Sequence, residues 1–373
     1  MIYIFLVVIT LSMAYIYQKS GGCKAQVSSM GRSKYKRKIK MSSHSITMVI
    51  YFGVLIIPVV LVSGLRYGIS VDYIKIYESG FYRITKGNIS QSDFEIGFRL
   101  LVKACAAIMD EPWFMFLVVA LITIVLFFQS AKKCSKSFIL SVSLFFLMGI
   151  YFDTFNGIRQ YIAVALFVYS YRYIQEKKFW KFIILMFIAG LFHTSAFFFI
   201  PAYWIHKVNI NIPKWFIAIL ALFIFSSQLT NLYIMLLSSL GKYNEYIIRN
   251  TLESNTSFSL SGLVVSIIAC VPCILNEKKM RKNEEGKFLF NMVMIGIAIA
   301  SISGVLPLAE RILYYFKGIY LISIPYALNL CSNKRIRQLL SCGVVILLGT
   351  MTVIGMIVLN WYAVLPYKSI FSK

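Results

Sequence analysis

Residues 46–62, ITMVIYFGVLIIPVVLV, form a charge-free apolar block that runs straight into residues 63–78, SGLRYGISVDYIKIYE, with Arg66 and Asp72 at its edge. A helix needs about 20 mostly apolar residues to cross a bilayer, and this block approaches that length. Similar windows recur near 1–17, 112–129, 137–153, 158–174, 179–192, 194–207, 214–237, 259–275, 287–306, 311–330 and 338–360. The expected fold is therefore all-α: a polytopic integral membrane protein with about twelve transmembrane helices, forming one domain over 1–373.

The chain is 59% hydrophobic and only 14% charged, yet it carries a net charge of +24, so the placement of the charges decides what they mean. Between Gln18 and Ser45 there are eight basic residues and no acidic one. Further basic clusters, Lys132/Lys133/Lys136, Lys177/Lys178/Lys181, Lys278/Lys279/Arg281/Lys282 and Lys334/Arg335/Arg337, fall in short connectors between apolar blocks. By contrast, Ser63–Glu111 holds six basic and six acidic residues. This is positive-inside patterning: the linker 18–45 and the basic connectors face the cytoplasm, and the loops 63–111 and 238–258 face outward. Such clusters suit anionic lipid headgroups and do not call for nucleic acid.

The segment 94–109, FEIGFRLLVKACAAIM, has helical periodicity but carries Glu95, Arg99 and Lys103. It is expected to lie at the outer surface as an amphipathic or re-entrant helix. Residues 1–17 lack a basic leader and read as a retained first helix with its N-terminus outside. Seven cysteines make no disulfide framework, and Cys270-Val-Pro-Cys273, without a second Cys or His pair, reads as packing. There is no internal repeat of the kind that marks many secondary carriers.

Ionisable groups within apolar surroundings are expensive and mark function. Here they are Arg66, Asp72, Glu95, Arg159, His193 and Arg311, expected to line one wet cavity near the outer face. A guanidinium offers a planar fork for phosphate oxygens, and a partly desolvated carboxylate or imidazole can take a proton from a sugar hydroxyl. The bland alternatives are an Arg66–Asp72 ion pair at a helix end and a histidine satisfied by helix packing. Tyr73, Asn156, Glu310 and Tyr314 sit beside these groups as candidate substrate contacts, whereas Tyr367 reads as an interfacial anchor. Metal-ligand spacing, a Gly-rich phosphate loop and a serine nucleophile elbow are all missing, so the expected chemistry uses no metal and no cofactor.

Several stretches in order, GLRYGISVDYIKIYE and FEIGF, FNGIRQYIAVALFVYS, KFIILMFIAGLFHTSAFFFIPAYW, AERILYYF and LPYKSIF, resemble the EpsG family of bacterial exopolysaccharide proteins, relatives of the Wzy-type O-antigen and capsule polymerases. Family members more often carry an acidic or polar residue after the Arg and a Gly just before the Asp, where this chain has Tyr67-Gly68 and Ser70-Val71. The resemblance implies a GT-C-like architecture in the bacterial cytoplasmic membrane. It also implies glycosyl transfer between undecaprenyl-pyrophosphate-linked glycans at the outer face, alongside a flippase and a chain-length regulator. In that reading Arg159 and Arg311 hold the departing pyrophosphate, Asp72 or His193 is the base, and Arg66 and Glu95 orient loop and substrate. The alternatives are a flippase for lipid-linked sugars, which needs wet access from both faces, and a membrane acyltransferase, which needs an inner donor site.

Overall fold

A computed structural model of the chain describes residues 1–22, 43–87, 94–239, 260–303 and 309–372. Most of the basic linker 18–45 and of the outer loop 238–258 lies outside the described residues. Among those described there is no strand, only helices and one isolated antiparallel bridge between Arg66 and Ser369. Among the described residues five helices are long and apolar enough to span a membrane: Ile2–Lys19, Ile46–Gly64, Pro112–Cys134, Glu284–Ile302 and Lys334–Ile357. Four more are apolar but shorter: Phe138–Leu147, Phe179–Phe192, Ile212–Ile224 and Gly262–Leu275. The chain is an all-α polytopic membrane protein.

The helices form two compact units, Met1–Ile200 with Gly349–Lys373, and Pro201–Leu348. The first contains α1 (Ile2–Lys19), α2 (Ser43–Gly64), a π-helix (Tyr73–Glu78), α3 (Ser79–Thr85), α4 (Ile96–Ile108), α5 (Pro112–Cys134), α6 (Phe138–Leu147), α7 (Ile150–Asp153), α8 (Ile158–Gln175) and α9 (Phe179–Phe192). α8 packs on α5 and α9, α5 on α2, and α1 on α2 and α6. α8 is buried almost all round, with Ile162, Ala163, Val164 and Ala165 fully enclosed, because its small residues let neighbouring backbones approach. α5 has Pro112 in its first turn and Lys132 and Lys133 in its last, where missing donors and cations suit the helix ends.

Two glycines allow close helix crossings in the first unit. A Cβ on Gly64 would lie 2.6 Å from Leu117 Cα, and one on Gly97 would lie 2.7 Å from the Leu191 carbonyl oxygen. α4 thus lies directly on α9, burying Phe98, Val102 and Cys105 and leaving Ile96, Leu100 and Ile108 exposed. Gly97→Val is expected to destabilise the protein by about 1–3 kcal/mol, the usual cost of overpacking. Gly53→Ala, where a Cβ meets nothing within 4 Å, should leave the melting temperature of the purified protein unchanged or raised.

In three places the helices depart from the sequence windows. The window 137–153 breaks because Gly149 is left-handed (φ 73°), and a Cβ there would sit 2.0 Å from the Tyr362 hydroxyl. The window 194–207 is a 3₁₀-helix, Thr194–Lys207, containing Pro201, whose missing N–H removes one α-helical bond. The window 214–237 divides at Phe225 into Ile212–Ile224 and Ser226–Ser239, just before a pair of serines, a residue type that favours helix ends over interiors.

In the second unit the helices Leu260–Leu275, Glu284–Ile302 and Ala309–Asn329 pack on one another, and Ile212–Ile224 packs on Glu284–Ile302. Buried Asn291 is satisfied by the carbonyls of Ile205 and Val208 (3.2 and 2.8 Å) and by the indole N–H of Trp215 (3.3 Å). Cys270 and Cys273 are buried, with Cys270 Sγ 3.9 Å from Met294 Sδ, as a packing role requires.

Candidate functional site

The loop leaving α2 is held by the C-terminal segment. Tyr67 N–H donates to the Lys368 carbonyl (3.0 Å), Ser70 N–H to Ala363 (2.8 Å), and Ile370 N–H to Leu65 (2.9 Å). Tyr367, read from sequence as an interfacial anchor, instead donates to the Val62 carbonyl (3.1 Å) and meets Tyr3 edge-on. Between loop and tail lies a cleft of about 250 Å³, lined by Gly68, Ser70, Val71, Ala363, Pro366 and Lys368.

Arg66 is sealed inside this arrangement, 1% exposed. Its guanidinium donates to the carbonyls of Ser63 and Phe155 and lies 4.7 Å from the ring centres of both Phe116 and Phe155. Its Nε is buried with no hydrogen-bond partner among the described residues. Burial pulls its pKa down to about 10, with the Tyr73 phenol the largest opposing influence, so the cation persists at neutral pH. Carbonyls and rings thus hold Arg66, not an ion pair with Asp72. Its hydrogen bonds tie the end of α2 to the turn before α8, and its side chain is closed off from solvent. Tyr73, 1% exposed and stacked on Phe116 at 4.3 Å, is likewise enclosed.

Asn156 braces the same loop, accepting from Val71 N–H (2.9 Å) and donating to the Tyr362 carbonyl (3.1 Å). Because Phe155 also accepts from the Ser70 hydroxyl (3.0 Å), the turn before α8 and the loop after α2 are fixed to each other. Three residues on, Arg159 leaves the first turn of α8.

Arg159 forms an ion pair with Glu95, the two side chains 20% and 18% exposed. Its guanidinium lies 4.8 Å from the Phe94 ring centre and 6.0 Å from that of Phe98, and faces the Tyr77 hydroxyl. Burial pushes the Tyr77 phenol up against the pull of Arg159, so Tyr77 stays a neutral hydrogen-bonding group. Arg159 Nε is buried and has no hydrogen-bond partner among the described residues. Arg159 is thus a partly exposed cation, stacked on an aromatic ring on one side and paired with a carboxylate on another.

His193 closes α9, the helix whose end meets α4 through Leu191 and Gly97. Its Nδ1 accepts from Ser195 N–H (3.3 Å) and lies 2.7 Å from the Ser195 hydroxyl. Half-buried Asp72 precedes the π-helix and acts electrostatically on Tyr77. π-helical turns recur at functional sites. Within the first unit, then, Glu95, Arg159 and Tyr77 are brought into contact, with Asp72 acting on Tyr77 and His193 on the helix beside α4.

Arg311 lies in the first turn of Ala309–Asn329 in the second unit and is exposed, while Tyr314 is half-buried with Lys317 Nζ 5.8 Å from its ring. The Glu310 side chain lies outside the described residues. Sequence reasoning missed Tyr77, Phe94 and Phe98 as the cradle of Arg159. Phe94 and Phe98, four apart in sequence with Glu95 between them, were the available signal.

Compared with known proteins, residues 49–369 match the model of the EpsG family. No curated protein and no solved structure matches the chain.

Proposed function

The chain belongs to the EpsG family, a family of Wzy-type polysaccharide polymerases and EpsG-like glycosyltransferases, and from that premise we propose that it joins undecaprenyl-pyrophosphate-linked repeat units at the outer face of the bacterial cytoplasmic membrane. A growing glycan on its lipid pyrophosphate is the donor, and the non-reducing-end hydroxyl of a second lipid-linked unit is the acceptor. The bond from the donor's anomeric carbon to pyrophosphate breaks and a bond to the acceptor oxygen forms. The hydroxyl proton passes to a base, and the lipid pyrophosphate departs with its negative charge. A flippase would supply the substrate outside, and a chain-length regulator would set when elongation stops.

The observation that carries this reading is Arg159, stacked on Phe94, paired to Glu95 and still partly open. A fixed guanidinium supplies positive charge where the leaving pyrophosphate gains negative charge, without a metal. Glu95 and Tyr77 orient it. Arg311 is proposed as a further guanidinium acting on phosphate, tested by its own alanine variant. Asp72 or His193 takes the acceptor proton.

Asp72→Asn and His193→Ala separate these two candidates. The base variant should slow elongation by about 10²–10⁴-fold and remove the acid limb of the pH–rate profile, while the other keeps both. If the profile is unchanged in both variants, neither residue is the base.

A further inference from the structure

The end of α8 opposite Arg159 carries a cluster that the glycan chemistry does not use. Thirteen residues separate Arg159 from Arg172, about 20 Å along the helix. There Lys133 at the end of α5, Arg172 at the end of α8 and Lys181 at the start of α9 gather around two tyrosine rings. The Tyr169 hydroxyl accepts from Lys133 Nζ (3.0 Å) and from Arg172 (2.8 Å). Arg172 stacks 4.6 Å from the Tyr173 ring centre, which Lys181 approaches at 5.9 Å, and Lys133 lies 5.0 Å from that of Tyr169. The acid nearby is Glu176, 3.9 Å from Arg172 Nε and 2.5 Å from Lys178 Nζ.

A hydroxyl oxygen that accepts twice has used its lone pairs, so the Tyr169 O–H points elsewhere as a donor. The ammonium and guanidinium groups are also donors only. The cluster therefore presents several donors and a surplus of positive charge, held in place by the rings. Below it on α9, Trp180 (74% exposed), Ile184 (57%) and Phe187 (56%) make a continuous apolar track facing outward. A charged head set on an apolar track is the outline of a phospholipid.

We propose that Lys133, Tyr169, Arg172 and Lys181 form a binding site for the phosphodiester headgroup of an anionic phospholipid, whose acyl chain runs along Trp180, Ile184 and Phe187. A free phosphate ion would satisfy the cations but leave the track uncovered. The site stands apart from the proposed elongation chemistry.

The test uses the purified full-length protein in detergent, titrated with dioleoyl phosphatidylglycerol, with dioleoyl phosphatidylcholine, and with inorganic phosphate, read by native mass spectrometry and by melting temperature. The wild type should hold phosphatidylglycerol at least about tenfold more tightly than phosphatidylcholine, and Lys133→Gln with Arg172→Gln should erase that preference. The control pair Lys86→Gln with Lys103→Gln, exposed and outside the basic connectors, should keep it. Exposed Lys181→Gln should weaken the preference about threefold, which decides the matter even where the double variant fails to accumulate. Unchanged lipid selectivity in the cluster variants, equal loss in the control pair, or full protection by inorganic phosphate alone would each overturn the proposal.

Discussion

Replacing Arg159 by alanine is expected to cut glycan elongation by about 100- to 1,000-fold, the usual effect of removing one preorganised group that stabilises developing charge. The protein should still accumulate, because the side chain is partly open to solvent. Arg159→Lys should recover little. Lysine keeps the charge but cannot match a carboxylate with a planar fork while stacking on Phe94. Glu95→Gln should be milder, about tenfold, since the cation remains and only its orientation loosens. Glycan length on gels, with protein level measured in parallel, checks the series. Wild-type chain length in Arg159→Ala would remove Arg159 from the chemistry.

Arg66→Ala should fail differently, through folding. It removes a cation enclosed by two rings, takes the side-chain donor from the Ser63 carbonyl, leaves the Phe155 carbonyl with the Ser70 hydroxyl alone and opens a cavity, for a combined cost of about 3–5 kcal/mol. Lysine is expected to do no better, because one ammonium cannot reach both carbonyls and still lie between the rings. Arg66→Met should be the best tolerated of the three: it fills the volume and avoids burying a charge that its surroundings already disfavour. Melting temperatures and accumulation of the three variants test this ranking. If Arg66→Ala keeps the wild-type melting temperature and loses only elongation, Arg66 touches substrate after all.

What was legible in the sequence was what length and hydropathy set locally. α5 and α8 form where apolar runs end in suitable residues, and α4 follows the i, i+4, i+7 spacing of Phe98, Val102 and Cys105. Arg159 was recognisable because a guanidinium in the first turn of so apolar a helix needs a reason. What escaped is decided by partners distant in the chain. Gly149 breaks its helix because Tyr362 occupies the space beside it, and Tyr362 arrives from the other end of the sequence. Arg66 and Asp72, six residues apart, suggested an ion pair, yet Arg66 is claimed by Phe116 and Phe155. Asn156 was a candidate substrate contact by its neighbours, and no local pattern told that its amide would also accept from Val71 N–H and donate to the Tyr362 carbonyl.

The measurement closest to the central claim places the purified protein in lipid nanodiscs with pyrophosphate-lipid-linked repeat units and follows both glycan length and released lipid pyrophosphate. The wild type is predicted to build a ladder, releasing one lipid pyrophosphate for each linkage formed, and Arg159→Ala to release almost none. A wild type that binds these units or carries them across the bilayer without ever joining them would contradict the account.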